Sequence, residues 1–257
     1  MTTPVLPSFD LKRNYRRVAP EIREAVARVL ESQHFILGPE VETLEAETAA
    51  YLGIENTVGC ASGSDALLLA LMALGVGPGD EVITTPFSFF ATASCITRLG
   101  ARPVFADVEM DSGNISAESV RSKITPGTRA ILPVHLFGQM ASVEEMAAMA
   151  ESGEIAIVED CAQAFGASRT IDGKLKKAGS AGTIGCYSFF PTKNLGAYGD
   201  AGMVATGDED LATRLRSLRV HGSGVQYFHD EVGLNSRLDA MQAARVRVRQ
   251  RHLEEWT

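Results

Sequence analysis

The sequence predicts an α/β fold, a three-layer α/β/α domain on a mostly parallel sheet, and three observations carry that reading. Short runs of Val, Ile and Ala alternate with amphipathic helical segments along nearly the whole chain. Of 257 residues, 45% are hydrophobic and 22% charged, which suffices for one core of ordinary size. No internal repeat or low-complexity linker divides the chain.

The elements follow in order. APEIREAVARVLES (19–32) and PEVETLEAETAAYLG (39–53) read as amphipathic helices parted by a Gly-Pro break. SDALLLALMALG (64–75) is a strongly apolar helix that runs into the turn GVGPGD. EVITTP (81–86) is a strand, FFATASCITRLG (89–100) a helix and RPVFADV (102–108) a strand. AILPVH (130–135), a helix over about 142–152 and IAIVED (155–160) keep the alternation. GCYSFF and GMVAT read as strands, and a helix over 208–219 and an Arg-rich one from 237 to the terminus close the chain. That last helix meets the terminus with no stop signal.

A net charge of −8 speaks against a nucleic-acid binder, because phosphate backbones require concentrated Lys and Arg. A small anionic ligand needs only a local pocket of donors. The basic cluster Lys12, Arg13, Arg16 and Arg17 is followed by no signal-peptide core, and no stretch reaches the ~18 apolar residues of a membrane span. Cys60, Cys95, Cys161 and Cys186 are widely spaced, without a CxxC pair. They read as buried small hydrophobes in a reducing compartment, the cytoplasm.

Ligands of open parallel sheets bind beyond the carboxyl ends of the strands. IAIVED is apolar until Glu159 and Asp160, and AILPVH until His135, so these groups either meet a ligand or need partners inside the protein. By itself, Asp160 reads as well as a cap for the next turn. Lys193 lies in SFFPTKNLGAYGDAG (188–202), a Gly- and aromatic-rich loop that is nearly uncharged, unlike the solvated run DGKLKKAG. Apolar surroundings lower a lysine pKa and make the amine a nucleophile; the alternative is a surface lysine in a turn. ASGSDALLLALMAL leads small residues into a helix whose first amides are free to hold an anion, or that is simply capped by Ser62 or Ser64. GxGxxG and GxxxxGK[ST] are both absent.

Eight segments in one order carry a resemblance: FILGPEVETLEAETAAYLG, ASGSDALLLAL, TTPFSFFATASCI, GARPVFADVE, ILPVHLFGQ, IVEDCAQAFGA, YSFFPTKNLGAYGDAG and GLNSRLDAMQAA. Together they resemble the DegT/DnrJ/StrS-type family of pyridoxal 5′-phosphate (PLP)-dependent sugar aminotransferases, in the fold type I, aspartate aminotransferase-like group. The resemblance implies that Lys193 holds PLP as a Schiff base and shuttles the proton. It implies that Asp160 pairs with the pyridinium nitrogen, that Gln163 lies near the phenolic oxygen and that Phe89 stacks on the ring. Gly63, Ser64 and Ser188 would bind the phosphate, and Asn235 would reach the phosphate of a neighbouring subunit, so a homodimer with a shared site is expected. His135, Arg219, His221 and Arg237 lie in matching segments, with either a structural or a contact role.

The implied reaction moves an amino group from a donor, usually glutamate, to a nucleotide-linked keto-sugar. FFPTKNLGAYGDAG is most similar to members acting on 3-keto sugars. The domain expectation is a PLP-binding large domain over 1–240 and the start of a helix leading to a C-terminal small domain, largely missing, over 241–257. Two departures stand out: Ala201 replaces a family glycine, and family members continue beyond the point where this chain stops. Three rival readings accompany the main one, the most distant being a fold type I enzyme that acts on amino acids, against which the motif wording around Lys193 argues. A catalytically silent regulator of the same fold, or an inactive fragment, is the first. The second, the sugar dehydratase branch, typically replaces the lysine by His, and Lys193 argues against it.

Overall fold

The computed structural model describes residues 10–150, 155–225 and 228–256. Helix α1 (Leu11–Ser32) precedes α2 (Pro39–Leu52), β1 (Asn56–Cys60), α3 (Gly63–Ala73), β2 (Glu81–Thr84) and α4 (Phe90–Arg98). Then come β3 (Arg102–Phe105), α5 (Ala117–Lys123), β4 (Thr128–Leu132), a 3₁₀ turn (Leu136–Gly138), α6 (Val143–Ala150) and β5 (Ala156–Asp160). The chain continues through β6 (Ser168–Ile171), β7 (Lys174–Lys177), β8 (Ile184–Ser188), β9 (Gly202–Thr206) and α7 (Glu209–Leu218). It ends with β10 (Ser223–Val225), β11 (Phe228–His229), α8 (Ala240–Gln250) and α9 (Leu253–Trp256).

Seven strands form the central sheet in the order β1-β9-β8-β5-β4-β2-β3, and all neighbours are parallel except at β9, which opposes both β1 and β8. Period-2 alternation sorts the strand side chains between two faces. Val82, Leu132, Val158, Ile184, Cys186 and Val204 pack under α3, α4 and α7. On the opposite face, Ile83, Ile131 and Ile157 meet α5 and α6, while Tyr187, Met203 and Ala205 meet α2 and α8. The expected three layers are therefore present, with a mostly parallel sheet in the middle.

Several elements differ from the sequence reading. Helix α1 starts at Leu11, eight residues before the expected Ala19, and passes through Pro20. Asp10 caps it by accepting the Arg13 N–H at 2.9 Å. Its buried stripe Val18, Ile22, Ala25 and Val29 packs on Ala240, Ala244 and Val248 of α8, and that burial outweighs the hydrogen bond lost at proline, a cost of about 3 kcal/mol. Strand β1, NTVGC, escapes the periodicity because Asn56 and Thr57 are polar; all five residues are nevertheless buried. The run DGKLKKAG contributes to a small hairpin, β6–β7, whose turn residues Asp172 and Gly173 take φ of 49° and 73°. The closing helix begins at Ala240, not 237, and a turn at 251–252 separates it from α9. Helix α6 is described to Ala150; the expected extension to 152 lies outside the described residues.

The amino end of α3 sits hard against the ends of β8 and β9. A Cβ on Gly63 would lie 2.5 Å from the Ser188 Cβ, and one on Gly202 would lie 2.3 Å from the Ser62 carbonyl oxygen. Gly202→Ala is expected to cost about 1–3 kcal/mol, read as a lowered urea midpoint. Gly77→Ala, where a Cβ meets nothing within 4 Å, should leave the midpoint within about 0.5 kcal/mol of the parent. Equal midpoints for the two variants would contradict the close approach.

Candidate active site

Strand β5 ends in two carboxylates that alternation sends to opposite faces of the sheet. Glu159 is wholly buried and fully partnered: its oxygens accept from the amides of Gly179, Ala181 and Gly182 and lie 2.7 Å from His135 Nε2. The Ala141 N–H donates to His135 Nδ1 at 3.1 Å, so the ring proton sits on Nε2 and points at Glu159. Burial alone would raise the Glu159 pKa, but the histidine and the amides together pull it below the ordinary value. His135, Glu159 and Cys161 cluster within 4.8 Å, yet the lone pairs of the histidine and the carboxylate are already used, which leaves no donor set for a metal. His135 is structural here.

Asp160 faces the other way, onto a cavity of about 480 Å³ at the carboxyl end of the sheet. It is 5% exposed and among the described residues holds two donors: Thr92 Oγ1 at 2.9 Å on Oδ2 and the Ala162 amide at 3.1 Å on Oδ1. Burial raises its pKa, and these donors with the Lys193 charge offset that rise in part. Thr92, on α4, was not singled out from the sequence, because FFATASC shows only helical periodicity. Its hydroxyl spends its proton on Asp160, so it accepts from Ser88 Oγ at 2.9 Å.

Lys193 lies half-buried on the cavity wall, on the irregular loop between β8 and β9. Burial pushes its pKa down, against the opposing pull of Asp160. The amino end of α3 forms a further wall. Ser62 caps the helix by accepting the Asp65 N–H at 3.1 Å. The amides of Gly63 and Ser64 make no hydrogen bond among the described residues, so a capped helix and an open anion site coexist. Ser188, at the end of β8, closes this corner.

Gln163 lines the cavity, and its Oε1 accepts the Phe137 N–H at 2.9 Å, which leaves its NH₂ group as the free donor. Phe89, 76% exposed, and Phe190, 48% exposed, form an aromatic rim on the wall. Lys193, Asp160, Gln163, Phe89, Gly63, Ser64 and Ser188 thus share one cavity, and Ala201 lies on its wall. Asn235 does not; it is exposed, in an isolated bridge with Val220. Arg219 is buried against Glu45 at 2.5 Å and the Gly59 carbonyl at 2.8 Å, a structural role. His221 is exposed with φ of 67°, and Arg237 is half-buried away from the cavity lining.

The sequence profile of the DegT/DnrJ/EryC1/StrS aminotransferase family matches residues 17–257. The chain belongs to that family. It is 51% identical over 252 residues to a "pleiotropic regulatory protein" of Geobacillus stearothermophilus, covering 98% of this chain and 67% of the relative. It is 47% identical over 248 residues to the UDP-N-acetyl-3-dehydro-α-D-glucosamine 3-aminotransferase of Acidithiobacillus ferrooxidans, covering 96% and 66%. Among solved structures, DesV of S. venezuelae superposes with a TM-score of 0.94 at 45% identity, covering 98% of this chain and 67% of that one. NtdA of Bacillus subtilis, solved with bound cofactor PMP, gives 0.90 at 31% identity, covering 99% and 58%. The chain spans about two thirds of the length of the curated family relatives it matches.

The lowered pKa of Lys193 carries a pH prediction. A depressed value means that the neutral amine persists at lower pH than on a free lysine. Pulse acetylation of the cofactor-free protein, followed by peptide mass spectrometry, should show Lys193 labelling rising at lower pH than a free lysine side chain. A coincident profile would contradict burial of the amine.

Proposed function

We propose that this chain is a PLP-dependent aminotransferase that moves an amino group from an amino donor, L-glutamate in this reading, to the keto group of a nucleotide-linked sugar. The observation that carries the proposal is one cavity that joins a buried carboxylate, a lysine with a lowered pKa and two unpartnered helix-terminal amides. Those three features fit the three ends of PLP: a ring nitrogen that takes a proton, an aldehyde and a phosphate.

When bound, the cofactor supplies the carbonyl and an electron-accepting ring. Asp160, short of donors and desolvated, holds the positive charge at the ring nitrogen. Gly63 and Ser64 amides with Ser188 Oγ hold the phosphate, where the α3 dipole adds to the attraction. The NH₂ of Gln163 would donate to the phenolic oxygen, and Phe89 would cover the ring face. Lys193 Nζ, whose pKa burial lowers, takes and returns the proton at the substrate carbon.

The family relatives' names support a sugar acceptor, and the 3-aminotransferase from A. ferrooxidans supports amination at a 3-keto carbon. Phe89 and Phe190 on the cavity rim, with exposed Phe90 next to Phe89 and exposed Phe137 next to the lining residue Leu136, leave apolar surface that a second copy would cover. That supports a homodimer in which the exposed Asn235 reaches the phosphate of the partner's site. The regulatory name of the 51%-identical relative favours one other reading, a catalytically silent protein of the same fold.

Visible absorbance after PLP addition, beside Lys193→Ala, separates them. The wild-type protein should give a band that borohydride bleaches, leaving the cofactor covalently fixed at Lys193, and L-glutamate should bleach it as well. No band, or the same band in the variant, would overturn the assignment; a band indifferent to every amino donor would favour the silent protein.

A further inference from the structure

Residues 189–201, the loop that carries Lys193, contain no helix or strand, so their position rests on turn hydrogen bonds of their own and on side chains from elsewhere. Within the loop, the Lys193 N–H donates to the Phe190 carbonyl at 2.9 Å and the Ala197 N–H to the Phe189 carbonyl at 2.6 Å. The other anchors come largely from α8. Gln242 Oε1 accepts the Tyr198 N–H at 2.8 Å. Arg249 donates to the carbonyls of Asn194 at 3.0 Å and Gly196 at 3.4 Å. The Arg245 guanidinium lies 3.9 Å from the centre of the Tyr198 ring. Positions 242, 245 and 249 are spaced i, i+3, i+7, so one face of α8 holds the loop at three of its residues, Asn194, Gly196 and Tyr198.

Two of these side chains are poor choices for simple packing. Arg245 and Arg249 are 3% and 6% exposed, with no carboxylate partner among the described residues. Among the described residues, Nε and Nη1 of Arg245 and Nε of Arg249 have no hydrogen-bond partner. Burial and the neighbouring Arg245 charge push the Arg249 pKa down to about 10. Apolar residues of similar volume would usually be as stable or more so at such positions. What they lack is a donor aimed at the carbonyls that follow Lys193.

We infer that Gln242, Arg245 and Arg249 are positioning residues: they fix the β8–β9 loop and thereby hold the Lys193 amine desolvated in the cavity. The inference rests on the reading of Lys193 as the reactive amine, but it can be measured without cofactor. The variants are Arg249→Met, Arg249→Lys as the conservative rescue, and Gln242→Leu combined with Arg249→Met. Amide hydrogen exchange, the pH profile of Lys193 acetylation and the thermal midpoint are read on the cofactor-free full chain.

In the double variant, exchange in the 190–200 segment should rise about tenfold while β4 and β5 exchange as before. The Lys193 profile should move toward that of free lysine, at an unchanged or higher thermal midpoint, and Arg249→Lys should return part of both effects. Parent-like exchange and acetylation in the double variant would overturn the inference. So would a uniform rise in exchange with a lowered midpoint, which marks a role in stability alone. Failure of the parent protein to form a borohydride-reducible linkage would instead count against the cofactor reading, and these comparisons would stand apart from it.

Discussion

Asp160 is held almost out of water at the carboxyl end of β5 with two hydrogen-bond donors, where an ionised carboxylate has room for more. Desolvation of a charge costs several kcal/mol, so this group either takes up a proton or finds a cation. Its neighbour Glu159 shows what a satisfied carboxylate looks like in the same sheet: three amides and a histidine on two oxygens. The contrast between adjacent residues places the unsatisfied one on the cavity and the satisfied one in the core. A ligand with a positively charged ring edge, as in the proposed function, would answer the first need.

That arrangement depends on close approach. Gly63 and Gly202 let the amino end of α3 lie against β8 and β9, which brings two open amides beside Ser188. A side chain at either position would push the helix away and remove the anion corner. Lys193 enters from the loop that joins β8 to β9, so the antiparallel return at β9 is what sends the loop back over the cavity. The same loop rests on α8, which is also packed on α1 and α2, so the amine inherits its position from the helical layer.

Much of this was legible in the sequence, because hydrophobic period and strand-end position are local signals. IAIVED announces a buried strand with carboxylates at its mouth, and the GMVAT strand coincides with β9. Strand β1 was not legible, since Asn56 and Thr57 look like loop residues until Glu209, Arg216 and the Glu45 carbonyl supply their partners. Pro20 misplaced the start of α1 because a packed stripe overrides a local preference. Thr92 and Arg249 were missed for a related reason: their roles lie in contacts with segments about seventy and fifty residues away, which no local pattern records. The wording around Lys193 pointed to the family only through the company it keeps in eight ordered segments.

In the proposed function Asp160 takes a cationic partner. Carboxyl ¹³C NMR of aspartate-labelled protein, with the signal assigned through Asp160→Asn, follows its titration with and without PLP. Without cofactor, the carboxyl should titrate above the ordinary aspartate value of about 3.9. With PLP bound, it should stay ionised to a pH lower by roughly one unit or more. A titration at the ordinary value without cofactor, or a curve that PLP leaves unmoved, would contradict the account.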